Sequence, residues 1–330
     1  MRIAASAPGK FVLSGEYAVL DGAPAICVAV DRRAVVTIEA HDGDHHVVRA
    51  PGFTATTGRF STDSSDLTWL DGGGDFELFE VVWNTSRPAA ARDPLAISLD
   101  TAAFRDPGSG RKTGLGSSAA LTAALATALN SLGGENATEV AHAAHRRFQG
   151  GSGSGVDIAC SLAGGIVEYR MPEQQSKRVA WPEGLFFSVL WSGVAAETRG
   201  RLARFGDLAG SPSRRKLSEA STSVAADFER GQGSAVVAGL REYTEALLSF
   251  DAAHGLGIFD AGHKALAERA AGEGMVYKPC GAGGGDIGVA LATSRASLAS
   301  FGKTAARSGF TRLALSIDPL GAMLHDKDEK

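Results

Sequence analysis

The chain has 330 residues, 44% of them apolar and 21% charged, with a formal net charge of −4. This describes a globular chain long enough for two domains. It has no basic excess suited to nucleic acid or anionic lipid, and no apolar run near the roughly 18 residues of a membrane span.

In chain order, Val35–Ala40 and His46–Ala50 flank the turn-like His41–His45 and read as a hairpin. Residues 51–75 are polar and glycine-rich, so loop and short strand are expected; Phe76–Trp83 starts a helix and Leu95–Leu99 is a strand. Ser118–Leu132 is the clearest helix, because Leu121, Leu125 and Leu129 recur every four residues. Ser117 or Ser118 can cap its start, and Gly133-Gly134 stops it. A second helix spans Thr138 to Phe148 and carries His142 and His145 three residues apart, which suits either one shared ligand or a half-buried pair. The polar stretch at 170–185 predicts the domain boundary, giving domains 1–178 and 179–330. Beyond it come a strand at Leu185–Leu190 and helices at Lys216–Arg230, Ser234–Ser249 and Phe259–Ala271. Strands at Ile287–Ala292 and Arg312–Ile317 complete the set.

Glycine stands out at 42 residues, against an average share of about 7%. At Ala7–Gly22, Pro8-Gly9 makes a turn that presents Lys10, a point charge suited to phosphate or simply a surface lysine. At Lys112–Leu125, Gly114 and Gly116 precede Ser117, Ser118 and a helix, and free amides at a helix N-terminus make an anion site. This is not a Walker A loop: the one GKT, at 302–304, has Ser297 where the first glycine belongs. At Gly150–Gly165, Asp157 opens a short helix, where a carboxylate serves as a cap or orients Lys10 or a substrate. At Tyr277–Leu291, Gly283, Gly285 and Gly288 match the spacing of a dinucleotide turn, but Val289-Ala290-Leu291 reads as a strand and not a helix, so the nicotinamide reading is rejected.

Taken in this order, Pro8-Gly9-Lys10, Gly114–Ala119 and Gly281–Asp286 resemble the three motifs of the GHMP kinase superfamily. "SGEYAVLDG", "AHRRFQGGSGSGVDIACS" and "KPCGAGGGDIGVAL" are similar to the versions in members that phosphorylate 5-phosphomevalonate. The resemblance implies a two-domain α+β fold, with a ribosomal-protein-like N-terminal half, a ferredoxin-like C-terminal half and a cleft between them. It implies ATP and Mg²⁺ as cofactors, a small-molecule substrate, and no nucleic-acid or membrane partner. It implies Lys10 and Asp157 as catalytic residues, and Lys112, Gly114, Leu115, Gly116, Ser117, Ser118 and Ala119 around the nucleotide, with Ser118 also a metal ligand. Tyr17, Arg147, Ser152, Ser154, Gly281, Ala282, Gly283 and Gly284 would line the acceptor, with Arg199 a further candidate cation. Asp286 is expected to tie the loop's own amides in preference to metal. Mevalonate kinases carry a glutamate eleven residues before the catalytic aspartate as a Mg²⁺ ligand; Arg146 stands there, which counts against a mevalonate kinase and leaves Ser118 as the one metal ligand the motifs supply. A mevalonate kinase, a related sugar kinase or decarboxylase, and a catalytically silent ligand sensor are the alternatives. The cysteines Cys27, Cys160 and Cys280 are far apart, and MRIAASAPGK lacks the roughly 7–15 apolar residues of a secretory leader, so a cytoplasmic setting is expected.

Overall fold

The computed structural model describes residues 1–63, 66–151, 153–171, 174–196 and 211–325. Two long strands, β1 (Arg2–Ser14) and β2 (Ala25–Ala40), form an antiparallel pair that organises the first sheet. Their register breaks between Pro8 and Gly9, a bulge that bends β1 just before Lys10. Beyond them lie β3 (His46–Arg49), β4 (Thr57–Asp63), β5 (Asp66–Asp71) and β6 (Leu95–Asp100). β7 (Ile166–Arg170) and β8 (Gln175–Val179) continue from the first half of β2.

The expected hairpin across residues 41–45 does not form. β6 inserts between β2 and β3, antiparallel to the first and parallel to the second. Five residues suffice to step over one strand, and β6 satisfies the backbone groups of both neighbours.

Helices α1 (Glu77–Ser86), α2 (Ser117–Asn130) and α4 (Val156–Ala163) pack on this sheet, and α3 (Ala137–Phe148) packs against all three of them. α2 is buried on nearly every side, through Ala119, Ala120, Ala123, Ala124, Ala126 and Ala128. Small side chains let it lie close against both the sheet and α3. The serine cap expected for α2 is absent. Gly116 holds the N-cap position in the left-handed region (φ 78°), and no side chain bonds the first amides. α3 does have a side-chain cap, Asn136, which accepts from the amides of Thr138 and Glu139.

The second sheet is antiparallel, in the order β10 (Val276–Pro279), β11 (Ile287–Ala292), β9 (Phe186–Trp191), β12 (Thr311–Leu313). Helices α5 (Pro212–Arg230), α6 (Gly233–His254) and α7 (His263–Gly272) lie between β9 and β10, and α8 (Arg295–Arg307) follows β11. Taken as strand, helical segment, two strands, helix and strand, this is the ferredoxin-like succession. The chain then returns to the first sheet, where β13 (Met323–Leu324) pairs with β1. Among the described residues no helix is long and apolar enough to cross a membrane.

Candidate active site

One cavity of about 1030 Å³ lies between the sheets and gathers most of the predicted residues. Lys10, Tyr17, Lys112, Gly114, Leu115, Gly116, Ser117, Ser118, Ser154, Asp157, Gly281 and Ala282 all line it. Lys10 leaves the β1 bulge with its amide bonded to the Leu115 carbonyl at 2.8 Å, so the strand and the glycine loop are fixed to each other. Gly9 permits this approach, since a Cβ there would meet the Leu115 oxygen at 2.6 Å.

Lys10 Nζ stands 2.8 Å from Asp157 Oδ1. Burial opposes the ammonium, yet the charge and hydrogen bond of Asp157 hold the Lys10 pKa above the ordinary lysine value. Asp157 is in the first turn of α4, whose N-cap, Gly155, is left-handed (φ 85°). The buried Tyr169 hydroxyl fixes the preceding loop by donating to the Ser154 carbonyl at 2.8 Å.

Ser118 Oγ lies 3.4 Å from His145 Nε2. Burial lowers the His145 pKa, the Asp157 charge opposing that shift and Lys10 reinforcing it, so the ring is neutral at neutral pH. Opposite α2, Asp286 sits in the left-handed region (φ 51°) with its carboxyl against Gly114. Its Oδ1 accepts from the Ala196 amide at 3.3 Å, so it ties a neighbouring segment and not its own loop. Burial raises its pKa, against the hydrogen bond from Ala196 and the charges of Lys10 and Lys112.

A glycine loop at a helix N-terminus, on the same cavity as a buried lysine paired with a half-buried carboxylate, is equipped to hold a polyanion and neutralise charge transferred across it. Residues 92–165 match the family model for the GHMP kinases N-terminal domain. A phosphomevalonate kinase of Streptomyces sp. (strain CL190) is 30% identical over 88% of this chain and 90% of its own length. The chain belongs to the GHMP kinases. This GHMP kinase is also 34% identical to a mevalonate kinase of Methanothermobacter thermautotrophicus, over 51% of this chain and 50% of the relative. It shares its fold with the phosphomevalonate kinase of Streptococcus pneumoniae crystallised with phosphomevalonate and AMPPNP (TM-score 0.78, 19% identity, 95% of this chain and 99% of that one).

Other predicted residues of this GHMP kinase lie off the cavity wall. Ala119 is on the buried face of α2, where it packs into the first sheet's core. Arg147 is on the exposed face of α3. Gly283 and Gly284 sit behind Gly281 and Ala282, with the Gly284 amide bonded to the Ile258 carbonyl at 2.7 Å. Ser152 and Arg199 lie outside the described residues. Among the described residues no group of three or more His, Cys, Asp or Glu could hold a metal, so neither the His41–His45 turn nor the His142–His145 pair makes such a site.

Sequence reasoning missed four buried polar groups around the site. His263 is fully buried and supports the C-terminal glycine loop. Its Nε2 faces the Gly285 carbonyl at 3.1 Å and its Nδ1 faces the Tyr277 hydroxyl at 2.8 Å. A carbonyl only accepts, so Nε2 carries the proton and Nδ1 accepts from Tyr277. Lys278 and Glu16 form a second buried ion pair, with Tyr243 beside them. The one available signal was a lysine inside an otherwise apolar strand.

Proposed function

We propose that this chain is an ATP-dependent phosphomevalonate kinase, which moves the γ-phosphoryl group of ATP onto the phosphate of 5-phosphomevalonate. The observation that carries the reading is the Lys10–Asp157 pair, held on the same cavity wall as the N-terminus of α2. The near end-to-end likeness to the Streptomyces enzyme supports the phosphate acceptor over mevalonate, where the likeness spans half of each chain. Arg146 in place of the mevalonate-kinase glutamate supports it too.

In this reading the amides of residues 114–118 and Lys112 hold the nucleotide phosphates. Tyr17, Ser154, Gly281 and Ala282 border the acceptor, while Gly283 and Gly284 support that wall from behind. The apolar end lined by Ala50, Phe53, Phe76, Phe79, Leu99 and Phe104 accepts the base. An acceptor phosphate oxygen bonds to the γ-phosphorus as the bond to the β–γ bridging oxygen breaks, and ADP leaves with that electron pair. Phosphate has a second pKa near 6 and is already deprotonated at neutral pH, so no strong base is required. Asp157 therefore orients Lys10, whose ammonium neutralises the charge passing between the two phosphates.

Mg²⁺ fits here only as an ion carried by the nucleotide. The described residues offer it the Ser118 hydroxyl and no carboxylate cage, in keeping with its usual retention of water and phosphate ligands. When bound, it would supply further neutralisation of the phosphate charge. The three cysteines are free and buried, which agrees with a cytoplasmic setting.

ADP release with 5-phosphomevalonate, mevalonate and galactose tests the proposal. Turnover of the first is expected, and turnover of mevalonate alone overturns it. Ligand-dependent thermal shifts without turnover would identify a sensor. Asp157→Asn should lower kcat without removing an acid-side limb from the pH–rate profile. If the wild type needs a deprotonated group that this change abolishes, Asp157 is a general base worth about 10²–10⁴-fold, and the phosphate-acceptor account of it fails.

A further inference from the structure

Gly15, Glu16 and Tyr17 form the turn that leaves β1 and lines the cavity near Asp157. Glu16 uses both carboxylate oxygens. Oε1 accepts from Lys278 Nζ on β10, and Oε2 accepts from the Tyr243 hydroxyl on α6 at 2.7 Å. That hydroxyl also accepts from the Gly15 amide at 3.0 Å. Lys278 and Tyr243 are fully buried and Glu16 is 5% exposed. The next residue, Tyr17, makes its own cross-link, donating to the Ala282 carbonyl at 2.8 Å. Consecutive residues of the first sheet's strand exit thus hold positions 278 and 282 of the second sheet and its glycine loop. Tyr17 does this with φ 63° and ψ −44°, a conformation that persists only where its surroundings impose it.

Net stability does not account for such a set, because a buried ion pair is often no better than an apolar replacement of the same shape. Location does account for it: a charge sealed from water has one place where it is satisfied. We propose that Glu16, Lys278 and Tyr243 are positioning residues that lock the Gly15–Tyr17 turn, so that Tyr17 acts as a strut fixing the Gly281–Ala282 wall at the acceptor end. The assignment of that end to the acceptor rests on the function proposed above. The set's hydrogen bonds run among Gly15, Glu16, Tyr243 and Lys278 and not to the amides of α2, so its loss moves the acceptor wall and leaves the nucleotide site in place.

The test is steady-state kinetics of the full chain with both substrates varied. The double variant Glu16→Gln with Lys278→Met removes both charges while leaving an amide oxygen for Tyr243. It should unfold cooperatively near the parent's Tm, raise KM for the acceptor about 10-fold or more and lower kcat, with KM for ATP within about twofold. Unchanged acceptor KM and kcat in a folded double variant would overturn the proposal. If that variant does not fold, Tyr243→Phe removes only the hydroxyl. It should show the same split at about threefold, and equal changes in both KM values, or no change, would reject the idea. A parent that uses mevalonate and not 5-phosphomevalonate defeats the proposed function alone, since the split is then read with mevalonate.

Discussion

In the loop at 114–118 glycine makes room for side chains, and in the loop at 281–286 it makes room for backbone. A Cβ on Gly116 would come within 2.8 Å of Lys10 Cε, and one on Gly114 within 2.4 Å of Asp286 Cβ. A Cβ on Gly283 would instead meet the Ile258 carbonyl oxygen at 2.5 Å, and one on Gly285 the Val194 oxygen at 2.7 Å. The amides differ in the same sense. Those opening α2 receive no side-chain cap, whereas Gly284 and Asp286 spend theirs on Ile258 and Val194. One loop offers donors to a ligand; the other is a wall already satisfied from behind.

The comparison predicts different failures for similar changes. Gly116→Val should be the most damaging to catalysis, because it displaces Lys10. We expect kcat to fall by about 10²-fold or more, measured as ADP release, with a smaller loss of Tm than the next variant shows. Gly283→Val should act mainly on stability, because both glycines share a positive φ (78° and 71°) but a carbonyl cannot yield as a lysine tip can. A loss of roughly 3 kcal/mol by denaturant melts is expected, with ATP KM little altered while the fold persists. If Gly283→Val removes turnover and leaves Tm untouched, the satisfied-wall account is wrong.

The wall also has its own pH dependence. Burial lowers the His263 pKa to about 4, partly opposed by its bond to Gly285 and reinforced by the Lys278 charge. Above about pH 6.5 the ring is neutral whether folded or unfolded, and stability does not depend on it. Between about 6.5 and 4 the unfolded chain binds the proton first, so stability falls as pH falls and levels off once the folded ring also protonates. Chemical melts across that window should show the slope, and His263→Gln should flatten it. The smallest effect is expected from Asp286→Asn. The amide oxygen can keep the Ala196 bond, so ATP KM should change by less than about fivefold. A much larger loss of ATP affinity would assign the carboxylate a direct role at the phosphates.

The parts legible in the sequence are those whose information is local. The helix after Gly116, the strand after Asp286 and the order of the glycine motifs were all read correctly, because propensity and turn chemistry act over a few residues. Lys10 and Asp157 were legible through motifs, though their pairing spans far more chain than periodicity covers. What failed was non-local. Nothing around residues 41–45 announces that β6 will separate β2 from β3. Lys278 reads as a solvated lysine until Glu16, 262 residues earlier, is placed beside it. The α2 cap failed for a different reason: serine is the better cap by propensity, and here the free amides stay open on the cavity in its place.

The strand that returns at Met323–Leu324 has a consequence for synthesis. It closes the edge of β1, while Arg33 binds Asp318 at 2.6 Å and the Gly321 carbonyl at 2.7 Å. Gly321 fits so tightly that a Cβ there would lie 1.9 Å from the Leu162 oxygen. During translation the N-terminal sheet therefore leaves the ribosome with the β1 edge unpaired, and stays so until residues 323–324 have emerged. Until then that edge is open to chaperones or to a neighbouring nascent chain, which makes the arrival of residues 318–324 the step that commits the sheet to pairing within its own chain.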